Sequence, residues 1–190
     1  MKNKDRGRGQ LVVISSPSGG GKGTIIRRMR ELRPELHLSV SSTTRSPRDG
    51  ETHGVEYYFT PREEFERMMA EEEFLEYAEY VGEYYGTPKK TIHEAIQNGK
   101  DILLEIEVQG AKQVMEIQPD AVTIFIVPPS LEELERRLRG RGTDSEEKLI
   151  KRLARAELEL EERHAYNHVV VNDDVTRAAE EIIAIIEMED

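Results

Sequence analysis

Short apolar runs alternate along the chain with longer segments in which apolar residues recur at helical spacing. The runs lie at 11–14, 101–106, 122–127 and 168–171. Continuous apolar runs of this length are typical of strands that are buried on both faces of a sheet. Helical patterns lie at 24–32, 91–98, 111–117, 131–138, 146–164 and 175–188. This alternation predicts an α/β fold in three layers, a parallel sheet with helices on both faces.

The alternation breaks between about residue 40 and residue 87. This stretch is rich first in Ser, Thr and Arg and then in Tyr, and it holds one helical pattern at about 62–72. Polar and apolar residues alternate at 55–59, so we expect a small, partly antiparallel insertion in the parallel sheet. Two glycines, at 140 and 142, interrupt a basic helical pattern and indicate a second insertion at about 140–144.

Composition and charge narrow the range of functions. The length of 190 residues favours a single domain, and the net charge of −11 argues against a general nucleic-acid-binding surface. Any anionic ligand is therefore expected to bind at a local cluster of cations. The absence of Cys excludes a disulfide framework and a thiolate nucleophile or metal site. No run resembles a membrane span or a signal peptide, so we expect a cytoplasmic protein with no membrane partner.

A glycine-rich loop lies between the first apolar run and the first helical pattern. Its sequence is Ser16-Pro17-Ser18-Gly19-Gly20-Gly21-Lys22-Gly23-Thr24. Glycines let backbone N–H groups turn toward phosphate oxygens, the following helix N-terminus adds partial positive charge, and Lys22 reaches the β- and γ-phosphates. The strict G-x-x-x-x-G-K-[ST] pattern is not met, because Ser16 and Gly23 replace two of its residues and Thr24 carries the nearest hydroxyl. A turn without a ligand is the alternative, which the flanking strand, helix and lysine disfavour.

Two arginines three positions apart, Arg45 and Arg48, flank Pro47 in the Ser/Thr-rich segment. Arginine binds phosphate oxygens in a bidentate manner, so this pair indicates a second phosphate site. For this segment alone, a solvated basic loop is an alternative of similar weight. Together with the glycine loop, the pair predicts a protein that handles two phosphorylated ligands.

The order of these motifs resembles that of the guanylate kinase family over nearly the whole chain. The matching segments are 16–24, 39–51, 57–59, 74–78, 84–87 and 105–110. The resemblance implies phosphoryl transfer from ATP to GMP and dGMP, giving ADP and GDP for purine nucleotide metabolism. It also implies a P-loop core at 8–38, 88–128 and 165–190, a mixed GMP-binding insertion at 39–87 and a helical lid at about 129–164.

The same resemblance assigns most GMP-binding residues to the insertion. The positions that match residues holding the GMP phosphate are Arg45, Arg48, Tyr57 and Tyr85. The positions that match residues reading guanine are Ser41, Glu76 and Thr87. A carboxylate at Glu76 accepts from the N1–H and exocyclic amine of guanine, a donor pair that adenine lacks, while the two hydroxyls are expected to donate to O6. Glu107 stands where relatives often carry Asp. The Asp side chain is one methylene shorter, so the reach of Glu107 toward the guanosine nucleotide differs by that length.

The ATP-binding residues implied by the resemblance are Pro17, Ser18, Gly19, Gly20, Gly21, Lys22, Gly23, Thr24, Asn172 and Asp173, the last two beside the adenine. Arg141 and Arg152 match lid arginines that reach the transferred phosphoryl group, where fixed cations stabilise charge and lid closure excludes water. Lys22 and Arg48 complete the expected catalytic residues. Mg²⁺ is expected to bridge the β- and γ-phosphates of ATP, with Thr24 or water as a ligand and Glu105 near its water.

Three further arginines, Arg136, Arg137 and Arg139, are expected to form ion pairs along their own helix with Glu132, Glu133 and Glu135. They are therefore not counted among the catalytic residues.

Two other functions remain as alternatives. A kinase for another nucleoside monophosphate is disfavoured by Glu76 with Ser41 and Thr87. A guanylate-kinase-like module that binds phosphopeptides without catalysis is disfavoured by the presence of Lys22 and the two lid arginines. The expected partners are ATP and GMP, with no nucleic acid, and the expected oligomeric state is a monomer or a small homo-oligomer.

Overall fold

A computed structural model of the chain describes residues 7–80, 82–140 and 145–189. Strands and helices follow one another in this order: β1 (Leu11–Ser15), α1 (Lys22–Leu32), β2 (His37–Leu38), β3 (Ser42–Thr43), β4 (Tyr58–Phe59), α2 (Arg62–Ala70), β5 (Phe74–Tyr80), β6 (Glu83–Pro88), α3 (Lys89–Gln97), β7 (Ile102–Glu105), α4 (Val108–Ile117), β8 (Val122–Val127), α5 (Leu131–Gly140), α6 (Glu146–Glu161), a 3-10 helix (Glu162–Ala165), β9 (His168–Val171) and α7 (Val175–Met188).

Five strands form a parallel sheet in the order β2-β7-β1-β8-β9. Val12 of β1 pairs with Val122 of β8, and Ile124 of β8 pairs with His168 of β9. Strand β1 is buried throughout and β8 is buried up to its last residue. Because both faces of these strands are covered, their sequences are continuous apolar runs. The predicted α/β fold with a parallel sheet is confirmed.

The chain divides into two compact units. The first consists of Met1–Leu11, His37–Leu103 and Gln109–Ala121. The second consists of Val12–Leu36, Leu104–Val108 and Val122–Asp190. The division falls within β1 and β7, so each of these strands contributes residues to both units.

In the second unit, two helix pairs build the core. Helix α1 packs against α7, and α5 packs against α6. The α5–α6 pair buries an apolar cluster whose members are Leu134, Leu138, Leu149 and Ala156, with Leu153 packed against it. These residues lie three, four or seven positions apart within each helix, so one face of each helix is apolar.

The first unit contains a four-stranded mixed sheet in the order β4-β3-β6-β5. Strands β3 and β4 are parallel, while β6 is antiparallel to both β3 and β5. Phe65 of α2 is fully buried and stacks on Phe74 and Tyr84, with ring centroids 4.3 Å and 5.5 Å away. This aromatic stack fixes α2 on the sheet. Separately, the register of β5 against β6 shifts between Phe74 and Glu76.

In the parallel sheet, strand β2 is not predicted by the hydrophobic pattern, and within the insertion the pattern gives no bounds for β3, β5 and β6. Strand β2 has two residues, His37 and Leu38, which pair with Ile102 and Leu103 of β7. The predicted helix at 146–164 ends as an α-helix at Glu161 and continues as the 3-10 helix. No helix in the described part of the chain has the length and apolar character needed to cross a membrane.

Candidate functional site

The glycine-rich loop connects β1 to α1 in the second unit. Gly19 and Gly21 have φ values of +89° and +90°, a backbone region that residues other than glycine rarely adopt. A Cβ atom at Gly21 would lie 2.3 Å from Nδ2 of Asn172, so close approach also requires glycine there. The predicted loop between strand and helix is therefore present, with its backbone turned in the manner that an anion-binding loop needs.

Lys22 is the first residue of α1 and is 9% exposed. Its Nζ donates a hydrogen bond of 2.6 Å to the backbone carbonyl of Ile106 and lies 3.5 Å from Oε1 of Glu107. Glu107, predicted to bind GMP, thus lies beside the loop lysine in the second unit. The Ile106 carbonyl and the Glu107 carboxylate therefore hold the ammonium group at the loop.

Side chains from β9 and α5 support the loop. Asn172 directly follows β9, is 2% exposed, and donates from Nδ2 to the carbonyl of Gly20 at 2.8 Å. Arg137 of α5 donates to the carbonyl of Asn172 at 2.8 Å and also pairs with Glu133. The predicted ion pairing of Arg137 is confirmed, but this arginine also connects α5 to the loop support.

Helix α6 contacts Ser18 of the loop through two charged residues. Arg152 donates to the Ser18 hydroxyl oxygen at 3.0 Å and 3.3 Å. Glu159 is 8% exposed and accepts the backbone N–H of Ser18 at 3.0 Å and the Nε–H of Arg155 at 2.7 Å. Sequence reasoning missed Glu159. The available signal was its spacing: it lies three residues after the buried Ala156 and seven after Arg152, on the same helix face.

Two oxygen-bearing side chains lie near the start of α1. One is Glu105 at the end of β7, whose Oε1 would lie 3.4 Å from a Cβ atom at Gly23. The other is Thr24, whose side chain is exposed. No three His, Asp or Glu side chains of the described residues form a metal-binding cluster. Mg²⁺ is usually held by one or two protein oxygens together with substrate phosphates and water, so a hydroxyl and a carboxylate at this loop fit that ion.

In the first unit, Arg45 is already paired with an anion. Its Nη2 lies 2.9 Å from Oε1 of Glu51, and both side chains are less than one-fifth exposed. The other oxygen of Glu51 accepts the backbone N–H of Arg48 at 2.7 Å. The Arg45 guanidinium carbon stands 5.5 Å from the ring centroid of Tyr57, and the Tyr57 and Tyr85 rings meet edge to face at 5.9 Å.

This arrangement joins the predicted phosphate-binding residues Arg45, Tyr57 and Tyr85 in one cluster. Arg48 follows three residues after Arg45, and its side chain is exposed. The carboxylate of Glu51 shows that the Arg45 guanidinium is oriented for an anion.

A buried carboxylate lies on β5 of the same unit. Glu76 is 8% exposed, and its Oε1 accepts a 2.6 Å hydrogen bond from the hydroxyl of Thr87, which is fully buried. The two residues are paired in register across β5 and β6. Burial raises the pKa of Glu76 above its usual value, and the Thr87 hydrogen bonds oppose this shift only in part. The Thr87 hydroxyl proton is thus donated to Glu76, whereas sequence reasoning expected it to be donated to guanine O6.

The remaining predicted residues are placed as follows. Ser41 is half-buried immediately before β3, and its carbonyl accepts the N–H of Tyr58 at 2.9 Å. Asp173 is exposed and pairs with Arg177 at 2.6 Å. Arg141 lies outside the described residues, as does most of the predicted insertion at 140–144.

Comparison with known proteins gives one consistent result. The family described as guanylate kinase matches residues 8–189. A guanylate kinase from Synechocystis sp. is 51% identical over 179 residues, covering 94% of each chain. One from Thermosynechococcus vestitus is 53% identical over 170 residues, covering 90% of this chain and 89% of its own. The crystal structure of guanylate kinase from Anaplasma phagocytophilum has a TM-score of 0.74 at 38% identity, covering 97% of this chain and 87% of its own.

Proposed function

The chain belongs to the guanylate kinase family and phosphorylates GMP with ATP as donor, and we propose that the residue groups described above carry out this reaction. The observation that carries the residue assignment is the buried, hydrogen-bonded carboxylate of Glu76. A buried carboxylate without a cationic partner is costly, and a ligand with two N–H donors offsets that cost.

Guanine recognition is assigned to Glu76, Ser41 and Thr87. The Glu76 carboxylate accepts from N1–H and from the exocyclic amine of guanine, and the Ser41 hydroxyl donates to O6. Thr87 acts by holding Glu76, because its own proton already lies on that carboxylate. Adenine has an acceptor at N1, so it would leave the carboxylate facing a lone pair.

The GMP phosphate is assigned to Arg45, Arg48, Tyr57 and Tyr85. Arg45 is oriented by Glu51 and by the Tyr57 ring, so it loses little side-chain freedom when the phosphate binds. We include Glu107 as a contact to the guanosine nucleotide. Its position beside Lys22 also supports a role in holding the loop lysine.

ATP is assigned to loop residues 17–24 with Asn172 and Asp173. Backbone N–H groups of the loop and the Lys22 ammonium hold the phosphates, and Asn172 acts through the Gly20 carbonyl that it binds. Arg141 and Arg152 supply positive charge to the transferred phosphoryl group. The proposed functional division is a core at 8–38, 88–128 and 165–190, a GMP-binding insertion at 39–87 and a lid at about 129–164.

Transfer proceeds in line without a covalent enzyme intermediate. An oxygen of the GMP phosphate forms the new bond to the γ-phosphorus of ATP, and the bond from that phosphorus to the ADP oxygen breaks. The chain's residues orient the two phosphates and neutralise the charge on the equatorial oxygens.

Mg²⁺ is the proposed metal, with Thr24 and Glu105 as the residues that would hold it or its water. When bound to ATP, Mg²⁺ neutralises phosphate charge that builds up during transfer. We also propose that GMP and dGMP are both acceptors, that the protein is a monomer or a small homo-oligomer, and that it resides in the cytoplasm.

The function is tested by measuring ADP production from ATP with GMP, AMP, UMP or CMP as acceptor, with Mg²⁺ and then with a chelator. We expect turnover with GMP alone among these four and its loss in the chelator. In the Glu76→Gln variant, the preference for GMP over AMP should fall by about 100-fold or more, because one guanine donor then meets an amide N–H.

The control is turnover at saturating GMP, which Glu76→Gln should lower much less than it lowers selectivity. An unchanged base preference would mean that Glu76 does not read guanine. Tight GMP binding without turnover for any acceptor would instead support a binding module.

The raised pKa of Glu76 predicts a pH effect on GMP use. Protonated Glu76 cannot accept both guanine donors, so kcat/KM for GMP should fall as pH drops through a value above the usual carboxyl range. The stability of the protein without nucleotide depends on pH in the opposite direction. Since the folded pKa exceeds the unfolded one, stability decreases as pH rises from the unfolded to the folded value.

The pH profile is measured for the wild type and for Glu76→Gln. The GMP phosphate also titrates, with a pKa of about 6, but it does so equally for both proteins. The ratio of their kcat/KM values therefore isolates Glu76, and a ratio independent of pH would contradict the prediction.

A further inference from the structure

Gly110, the third residue of α4, is buried against the side chain of Glu76. A Cβ atom at this position would stand 2.8 Å from Oε2, 3.3 Å from Cδ and 3.4 Å from Cγ of Glu76. These are its three nearest atoms, so the space that a side chain would need is filled by this one carboxylate. The first distance is too short for any real contact of a Cβ atom.

The Glu76 carboxylate cannot shift as a whole without losing a hydrogen bond. Its other oxygen, Oε1, is held by the Thr87 hydroxyl at 2.6 Å. Thr87 is itself fully buried and paired in register with Glu76. A methyl group at position 110 would therefore push Oε2 while the hydrogen bond from Thr87 holds Oε1, and the plane of the carboxylate would turn.

We propose that Gly110 is a specificity-determining residue, whose missing side chain lets the Glu76 carboxylate lie in the orientation that matches the N1–H and amine donors of a guanine base. This inference rests on the proposed reading of guanine by Glu76. Gly110 itself is a positioning residue, because it acts through Glu76.

The structure separates this role from a role in folding. Gly110 lies within a helix and its φ is not in the left-handed region, so alanine fits its backbone. Alanine also has a higher helix propensity than glycine. The nearest obstruction is the end of the Glu76 side chain, which can turn without moving the backbone. Gly110→Ala should therefore change recognition and leave thermal stability unchanged or higher.

The test compares Gly110→Ala with the wild type at saturating ATP, using GMP and IMP as acceptors. IMP lacks the exocyclic amine, so the GMP-to-IMP ratio of kcat/KM reports the carboxylate contact directly. We expect kcat/KM for GMP to fall about 10- to 100-fold, mostly through KM, and the ratio to fall with it, since misplacement by about 1 Å costs up to 100-fold. Glu116→Ala, an exposed change on the same helix, should alter neither.

The second measurement repeats Gly110→Ala in the Glu76→Gln background. Glutamine fills the same volume, so a merely structural effect of the methyl group would be the same in both backgrounds. In this background we expect Gly110→Ala to lower kcat/KM for GMP by only about 2-fold or less, because the contact that the methyl group disturbs is already lost.

The outcomes distinguish the two hypotheses. If Glu76→Gln lowers the GMP-to-IMP ratio but Gly110→Ala does not, the role of Gly110 is refuted and guanine reading stands. A lower melting temperature of Gly110→Ala also refutes the role of Gly110. So does an equal fall in kcat/KM for GMP in the wild-type and Glu76→Gln backgrounds. If Glu76→Gln leaves the ratio unchanged, the proposed guanine site itself fails.

Discussion

The Lys22→Met variant is expected to have a kcat about 100- to 1,000-fold lower than the wild type, the loss usual for one fixed donor to a reacting oxyanion. Methionine retains most of the aliphatic stem, which is buried in the second unit, and removes the ammonium group together with its hydrogen bond to the Ile106 carbonyl. The affinity for GMP, measured by calorimetry in the absence of ATP, should change little. This combination would assign to Lys22 a role in transfer and none in holding the acceptor.

The comparison protein is Lys90→Met, because Lys90 is an exposed lysine on α3 that only approaches Glu94 at 4.0 Å. It should match the wild type in both measurements. A Lys22→Met enzyme with unchanged kcat would remove this lysine from the mechanism, whatever happened to its KM for ATP.

For Arg152→Ala we expect a fall in kcat of about 1,000-fold or more, the range found when a cation at the transferred phosphoryl group is removed. The exposed neighbour Lys151, which pairs with Glu147 at 2.6 Å, provides the matched control through Lys151→Ala. That variant lowers the charge of α6 equally and should keep its activity. The measurement is single-turnover transfer at saturating ATP and GMP.

Arg152 has a second contact that must be separated from catalysis, its hydrogen bonds to the Ser18 hydroxyl. The Ser18→Ala variant removes that acceptor and leaves the arginine in place. If Arg152 acts only by holding the loop, Ser18→Ala should lose as much activity as Arg152→Ala. We expect it to lose far less.

Elements with strong periodicity could be predicted from the sequence almost to the residue. The helix expected at 175–188 is α7, Val175–Met188, and the apolar run at 122–127 is β8. Strand β2 could not be predicted, because two residues carry no repeat and only the pairing with β7 defines it. The pattern also predicted the ion pair of Arg139 with Glu135 on α5, whereas Arg136 pairs with Glu133, three rather than four residues before it.

The site was predictable in its residue types but less so in its contacts. The glycine loop and Lys22 follow from local spacing. The hydrogen bond from Thr87 to Glu76 depends on the register between β5 and β6, which a β5 irregularity shifts, and no sequence pattern reports that shift. Glu159 is one acid among many in a charged helix: its spacing from Ala156 and Arg152 indicates which helix face it lies on, and the fold shows that it is buried against Ser18.

The supports of the glycine loop have a consequence for the energetics of nucleotide binding. Asn172 and Glu159 hold the backbone of Gly20 and Ser18, and a side chain at Gly19 would collide with Leu138 and Leu134 of the α5–α6 core. The loop is thus preorganised: the entropy lost in ordering it belongs to folding and is not subtracted from ATP affinity. By thermodynamic linkage, ATP that binds the folded loop also stabilises the helices beneath it. Looser packing between α5 and α6 is therefore expected to weaken ATP binding as well as the fold.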